Sequence, residues 1–250
     1  MRGIRSSTAE EINIMKRIFL YAIWIGCIAY LAFISFRHVI GKEEIVVNEG
    51  FSPDELAIIE GADSLLRVLT IEDEADLKVL RSKSSDLPAE AIQSEEFARL
   101  AELMIATVTH PSQDGVGIAG PQVGISRRVV AVQRFDKEPV LRGDKLDYPF
   151  EVYPNIRIVW ASDSLAAGPE GCLSVPDRRG DVMRSQEIVI EYAAASCSRA
   201  ESDDSEGHGD GGGEGHGPLQ IVRDTVRGFT AVIFQHEIDH LDGILYIDRL

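Results

Sequence analysis

Polar and apolar positions divide this chain into a charge-free run, an acidic stretch of helical spacing, and a strand-rich remainder. Ile18 to Phe36 is nineteen consecutive residues without a charge. As a helix it would extend roughly 28 Å, enough to cross the hydrocarbon core of a bilayer. A buried helix of a soluble domain usually shows a polar face, and this run has none. Lys16 and Arg17 precede it and Arg37 follows. No convincing small-x-small cleavage site ends it, so the expectation for residues 1–42 is an N-terminal membrane anchor or signal segment, with a single-pass membrane helix favoured over a cleaved signal peptide.

Residues 43–87 form a connecting region. A short apolar strand, Glu44 to Val47, leads into acidic stretches with helical spacing. From Pro88 to His110, Phe97, Leu100, Leu103, Met104 and Val108 recur at helical intervals, and Pro111 stops the pattern. Beyond Gly115 the period changes. Arg128–Val132 and Glu187–Tyr192 are short β-branched runs bounded by turn residues. Residues 199–217 are dominated by acids and glycines, a composition that buries too little apolar area to order itself, and they read as a disordered hairpin insertion that lengthens the connection between the sheet and the last helix. A final helix is expected to start near Asp224–Thr225, either of which can cap it. Val226, Phe229, Val232, Ile233, His236 and His240 share one broad stripe of that helix, and Gly243 suits its end. The fold class is therefore α+β: short, mostly antiparallel strands packed around this helix, within a domain spanning residues 88–250.

Charge and cysteine usage narrow the function. A formal charge of −16 argues against nucleic acid as a partner, since phosphate binding needs a basic surface. Three scattered cysteines, Cys27, Cys172 and Cys197, do not make a disulfide framework.

Candidate chemistry lies close to the end of the sequence, in Gln235-His236-Glu237-Ile238-Asp239-His240. Two histidines four apart project from one helical face and can share an ion, with Glu237 between them as a general base. Zinc proteases with this motif usually take a third ligand from downstream. Only Leu241 to Leu250 follow here, so the third ligand is expected upstream. Cys27 lies in the apolar run and Cys197 borders the insert. Cys172 sits in Pro169-Glu170-Gly171-Cys172-Leu173-Ser174, a turn-like stretch whose glycine allows close backbone approach. A Cys/His/His set leaves one coordination position open, as a catalytic ion requires. The histidines of His208 and His216, inside the insert, read as solvated loop residues.

These residues resemble the peptide deformylases, which remove the formyl group from N-formylmethionyl polypeptides. Gly115-Val116-Gly117-Ile118-Ala119-Gly120-Pro121-Gln122 is similar to the family's Gly-x-Gly-x-Ala-Ala-x-Gln, while Glu170 to Ser174 and Gln235 to Leu241 match its other two motifs intact. The resemblance implies one divalent ion, Fe²⁺ by family habit with Zn²⁺ also accepted, held by Cys172, His236 and His240. It implies Glu237 as base and then acid, and Gln122 with the backbone N–H of Leu173 as oxyanion donors. Backbone groups near Gly117 and Gly171 would pair with an extended substrate, Arg179 would contact it, and Phe229, Val232 and Ile233 would line a methionine pocket.

Two points depart from that picture. Gly120 replaces the family's second alanine, which predicts a modest loosening beside Gln122. Basic residues before the apolar run outnumber those just after it, which places the N-terminus in the cytoplasm and the domain across the membrane. Formylated nascent chains are made on the other side, in bacterial cytosol or an organelle matrix, so the side the domain occupies stays open.

Overall fold

The computed structural model describes residues 50–113, 115–142, 145–195 and 218–250. The apolar run at 18–36, the strand expected at 44–47 and the insert at 199–217 lie outside them. Among the described residues no helix is long and apolar enough to cross a membrane.

Four helices come first. α1 (Pro53–Gly61) opens on a capping box: the Ser52 N–H donates to Glu55 Oε2 at 2.8 Å and the Glu55 N–H to Ser52 Oγ at 3.2 Å. α2 (Glu74–Leu80) is capped by Asp73, whose Oδ1 accepts from the Ala75 and Asp76 N–H groups. The helix expected to run unbroken from Pro88 to His110 is two helices, α3 (Ala89–Ile92) and α4 (Glu95–Val108). Ser94 divides them because its hydroxyl accepts from the Phe97 N–H at 3.2 Å and caps α4. Residues of the connecting region share a core with this helix. Ile59 and Leu66 are buried against Leu100, Leu103, Met104 and Ile118.

The strands are antiparallel throughout. β1 (Gly117–Ala119), β2 (Val129–Gln133) and β5 (Phe150–Pro154) form one sheet in the order β1-β2-β5, and β3 (Val140–Arg142) and β4 (Lys145–Asp147) form a hairpin beside it. β6 (Arg157–Ala161), β9 (Glu187–Ala195) and β10 (Leu219–Arg227) form a second sheet with β9 central, and β7 (Leu165–Cys172) pairs with β8 (Val175–Ser185) as a long ribbon. Alternation along β2 divides the interior. Val130 and Val132 face a core with α5 (Gly228–Leu241), whereas Val129 and Ala131 face α4.

Two expectations about the last helix change. Ala195 and Leu219 are register partners, so the insert joins neighbouring strands β9 and β10 rather than the sheet and the helix. The helix starts at Gly228, not near Asp224–Thr225. Those two residues pair with Ile190 and Val189 in the sheet, and Asp224 accepts from Arg134 Nη2 at 2.9 Å. Gly228, at φ +61°, makes the turn from strand to helix, a conformation that costs glycine little. Val226 consequently packs from the strand and not from the helical stripe.

Gly120 opens a 3₁₀ turn (Gly120–Val123) after β1. A Cβ there would lie 2.6 Å from the Ile125 carbonyl oxygen and 2.8 Å from that of Arg127. The chain beyond the turn closes down on the glycine, and the Ile125 N–H donates to the Gly120 oxygen at 2.9 Å. The missing methyl is therefore filled by backbone, which corrects the expected loosening. Gly120→Ala should lower stability by about 1–3 kcal/mol, as overpacking does. Urea unfolding measures this, and an unchanged midpoint would show that the loop yields freely.

Candidate active site

The site forms where α5 crosses the end of the β7–β8 ribbon. Cys172 is the last residue of β7, and the register shifts between Glu170 and Cys172, where Gly171 alone on β7 faces the longer bulged stretch 176–179 of β8. The expected turn is thus a bulged strand end, which aims the sulfur at α5. Cys172 Sγ lies 3.2 Å from His240 Nε2, and the ligand atoms of Cys172, His236 and His240 all fall within 4.8 Å of one another. One soft sulfur and two ring nitrogens at this spacing fit a single divalent ion.

Electrostatics agree with that fit. His236 Nδ1 lies 2.7 Å from Glu170 Oε2, which turns its other nitrogen toward the cluster. Burial opposes protonation of His236, yet the Cys172 sulfur and the Glu170 carboxylate raise its pKa to about 10. The pocket thus favours positive charge where a cation would sit. Burial pushes His240 well below the usual imidazole range, so it is neutral and able to coordinate.

Glu237 stands between the histidines in sequence and is buried beside them, with Oε2 finding no hydrogen-bond partner among the described residues. Burial pushes its carboxyl up to about 7, against the pull of His236. Gly117 makes room for it, because a Cβ on that residue would lie 2.5 Å from Glu237 Oε1. Gln122 is delivered by the 3₁₀ turn. Its Oε1 accepts from the Ala119 N–H at 2.8 Å, which fixes the amide so that Nε2 points at Ser174 Oγ (3.3 Å) and Cys172 Sγ (3.4 Å). The connecting region braces both elements: the Leu69 N–H donates to the Gln122 carbonyl at 2.7 Å and the Ile71 N–H to that of Ser174 at 2.9 Å.

A cavity of about 720 Å³ opens from this cluster. Gly117, Gly171, Leu173, Arg179, Phe229, Val232 and Ile233 line it, so every position expected to face the substrate meets the same space as Cys172 and His236.

Sequence reasoning gave no role to a second set of residues. Arg184 donates to both oxygens of Glu170, at 2.7 and 2.9 Å, and to Asp239 Oδ2 at 2.6 Å. Arg249 holds Asp239 from the other side with two bonds of 2.6 Å. The Tyr246 ring stacks on His236, with centroids 6.0 Å apart. Glu170 and Asp239 stood inside the motifs beside ligands, which was a usable signal. Arg184 and Tyr246 carried none.

Comparison with known proteins gives one result. The family model described as polypeptide deformylase matches residues 65–205 and 219–250. A peptide deformylase of Leptospira biflexa is 32% identical over 172 residues, covering 69% of this chain and 82% of that protein. Peptide deformylase 2 of a Nostoc species is 36% identical over 161 residues, covering 64% and 75%. Among solved structures, the Met-Ala-Ser-bound class I type b peptide deformylase of Acinetobacter baumannii is similar with a TM-score of 0.56 at 30% identity, covering 76% of this chain and all of that one.

Proposed function

This chain belongs to the polypeptide deformylase family, and from that premise we propose how its own residues carry out the reaction. The enzyme hydrolyses the formamide of N-formylmethionyl peptides and releases formate. The observation that carries the assignment of residues is the convergence of Cys172, His236 and His240 beside the buried carboxyl of Glu237.

Cys172, His236 and His240 hold one divalent ion, with Fe²⁺ as the resident and Zn²⁺ accepted by the same donors. When bound, such an ion would supply Lewis acidity and would lower the pKa of water toward neutrality, to about 7. Glu237 takes the proton from the attacking water as oxygen adds to the formyl carbon. A carboxyl poised near 7 can give that proton back, so Glu237 then delivers it to the methionyl nitrogen as the C–N bond breaks. The Gln122 amide and the Leu173 N–H donate to the oxygen as it gains charge. Fixing the Gln122 amide through Ala119 means no reorientation is needed during the reaction. Backbone at Gly117 and Gly171 pairs with the extended peptide, Arg179 contacts it, and Phe229, Val232 and Ile233 surround the methionine side chain. The Acinetobacter relative holding Met-Ala-Ser supports a cavity built for a methionyl tripeptide.

The full-length protein in detergent, loaded anaerobically with Fe²⁺, should release formate from formyl-Met-Ala-Ser. A folded, metal-loaded protein that releases none would sink this reading. Gly117→Ala tests the placement of Glu237. Its methyl must displace the carboxylate, and a misplacement on the order of 1 Å can cost roughly a hundredfold, so kcat should fall by that much while bound metal is unchanged. Parallel metal analysis and steady-state kinetics on the same preparation decide it.

We further infer a single-pass membrane anchor at residues 18–36, supported by the length of the charge-free run. The connecting region is then part of the catalytic unit rather than a tether, because Ile59 of α1 and Leu66 share the core with α4. Full-length protein should stay with membranes through a carbonate wash. Release into the supernatant would remove the anchor.

A further inference from the structure

The rim of the cavity carries positive charge beyond the Arg179 already assigned to the substrate. Arg178 and Arg179 follow one another near the start of β8, both line the cavity, and both are exposed. The other guanidiniums near the site are committed, with Arg184 bound to Glu170 and Asp239 and Arg249 bound to Asp239. Arg178 and Arg179 make no hydrogen bond or ion pair with any described side chain. The acids around them do not neutralise them. Asp177 lines the same rim unpaired, Glu170 is held by Arg184 and His236, and Glu237 is buried.

Their position lies along the peptide's path. A Cβ on Gly171 would be 3.6 Å from Arg179 Cγ, 3.7 Å from the Arg178 carbonyl oxygen and 3.9 Å from Arg179 Cζ. The Arg179 side chain therefore lies beside Gly171, while Arg178 meets it through its carbonyl and lines the same cavity, next to the backbone that the proposed function gives to the extended substrate. A chain of formal charge −16 repels acidic ligands at long range, and two free guanidiniums at the mouth reverse the local sign. Guanidinium forks bind carboxylates through paired, charge-assisted hydrogen bonds.

We propose that Arg178 and Arg179 form an anion-reading rim that selects formylated peptides carrying a carboxylate side chain in the two residues after formylmethionine. This rests on the deformylase reading above, and Arg178 is the specificity residue it adds. The alternative is a pair of solvated charges, which discriminates little.

C-terminally amidated peptides leave the side chain as the only anion. The full-length metal-loaded enzyme is given formyl-Met-Glu-Ser-amide and formyl-Met-Ala-Glu-amide, each beside its Gln and Lys counterpart. At low salt, kcat/KM for at least one Glu peptide should exceed its Gln counterpart roughly three- to tenfold, with Lys lowest. The Glu/Gln ratio should shrink toward one in 0.5 M NaCl and in Arg178→Gln. Ratios within twofold at both positions overturn the proposal, as does a preference that survives Arg178→Gln unchanged. If no peptide yields formate, the deformylase reading is what fails. The Glu/Gln comparison is then decided by the affinities of the unformylated peptides for the Zn²⁺-loaded protein, measured by calorimetry, where equal affinities overturn the proposal.

Discussion

Glu237→Ala is expected to lower kcat for formate release by roughly 10²–10⁴, the range of a positioned general acid–base group, with the metal content unchanged. The expectation rests on where the carboxyl lies. It sits between two ligands on one turn of α5, is almost wholly buried, and leaves Oε2 without a partner among the described residues. An unsatisfied buried carboxyl costs stability, so removing it should leave folding intact or improve it slightly. Activity and stability would then move in opposite directions, which a residue with a purely structural role cannot do. Glu237→Gln separates proton transfer from shape, because it fills the same space above Gly117 and cannot take a proton. Equal losses in both variants locate the defect in proton transfer. Retention of more than a tenth of the activity in Glu237→Ala, at full metal occupancy, would falsify the assignment.

The candidate ligand cluster was legible in the sequence because helix geometry alone brings His236 and His240 together, and because Cys172 sits in an intact short motif. The substrate-facing residues followed from the resemblance, and the cavity gathers them. What stayed hidden depends on contacts between segments far apart in sequence. Ser94 splits one expected helix because a hydroxyl competes for a backbone donor, a choice that apolar periodicity does not report. Asp224 has the chemistry of a helix cap, but β9 and Arg134 claim it for a strand, and the left-handed Gly228 moves the helix start four residues on. The closure of backbone over Gly120 depends on the path of residues 124–128 and has no local signature. Arg184 is the clearest case. It meets Glu170 and Asp239 only because the β7–β8 ribbon folds back beneath α5.

Replacing that arginine should have the largest effect on stability of any single change near the site. Arg184 is 4% exposed and satisfies two buried carboxylates at once, one of which orients His236. Arg184→Met keeps the apolar stem and removes the charge. Asp239 retains Arg249, but Glu170 is left with only His236, and breaking a buried pair from one side typically costs about 3–5 kcal/mol. Loss of the group that holds Glu170 should also weaken metal binding by roughly 10–100-fold. The pH dependence gives an independent check. Although burial opposes it, Arg184 and His236 depress Glu170 from 4.5 to about 2 in the fold. A depressed acid contributes stability above its unfolded pKa and loses it as pH falls through the folded value. In the metal-free protein, the gap between wild type and Arg184→Met should therefore be full above pH 4.5 and close as pH drops toward 2. Urea midpoints at pH 7, 4.5 and 3 measure it. A gap that stays constant across that range would mean the arginine stabilises through packing of its stem, and that the charge network beneath His236 contributes nothing. Arg184→Lys discriminates further: a single ammonium can neutralise Glu170 but cannot bridge to Asp239 with a planar fork, so it should restore part of the stability and less of the metal affinity.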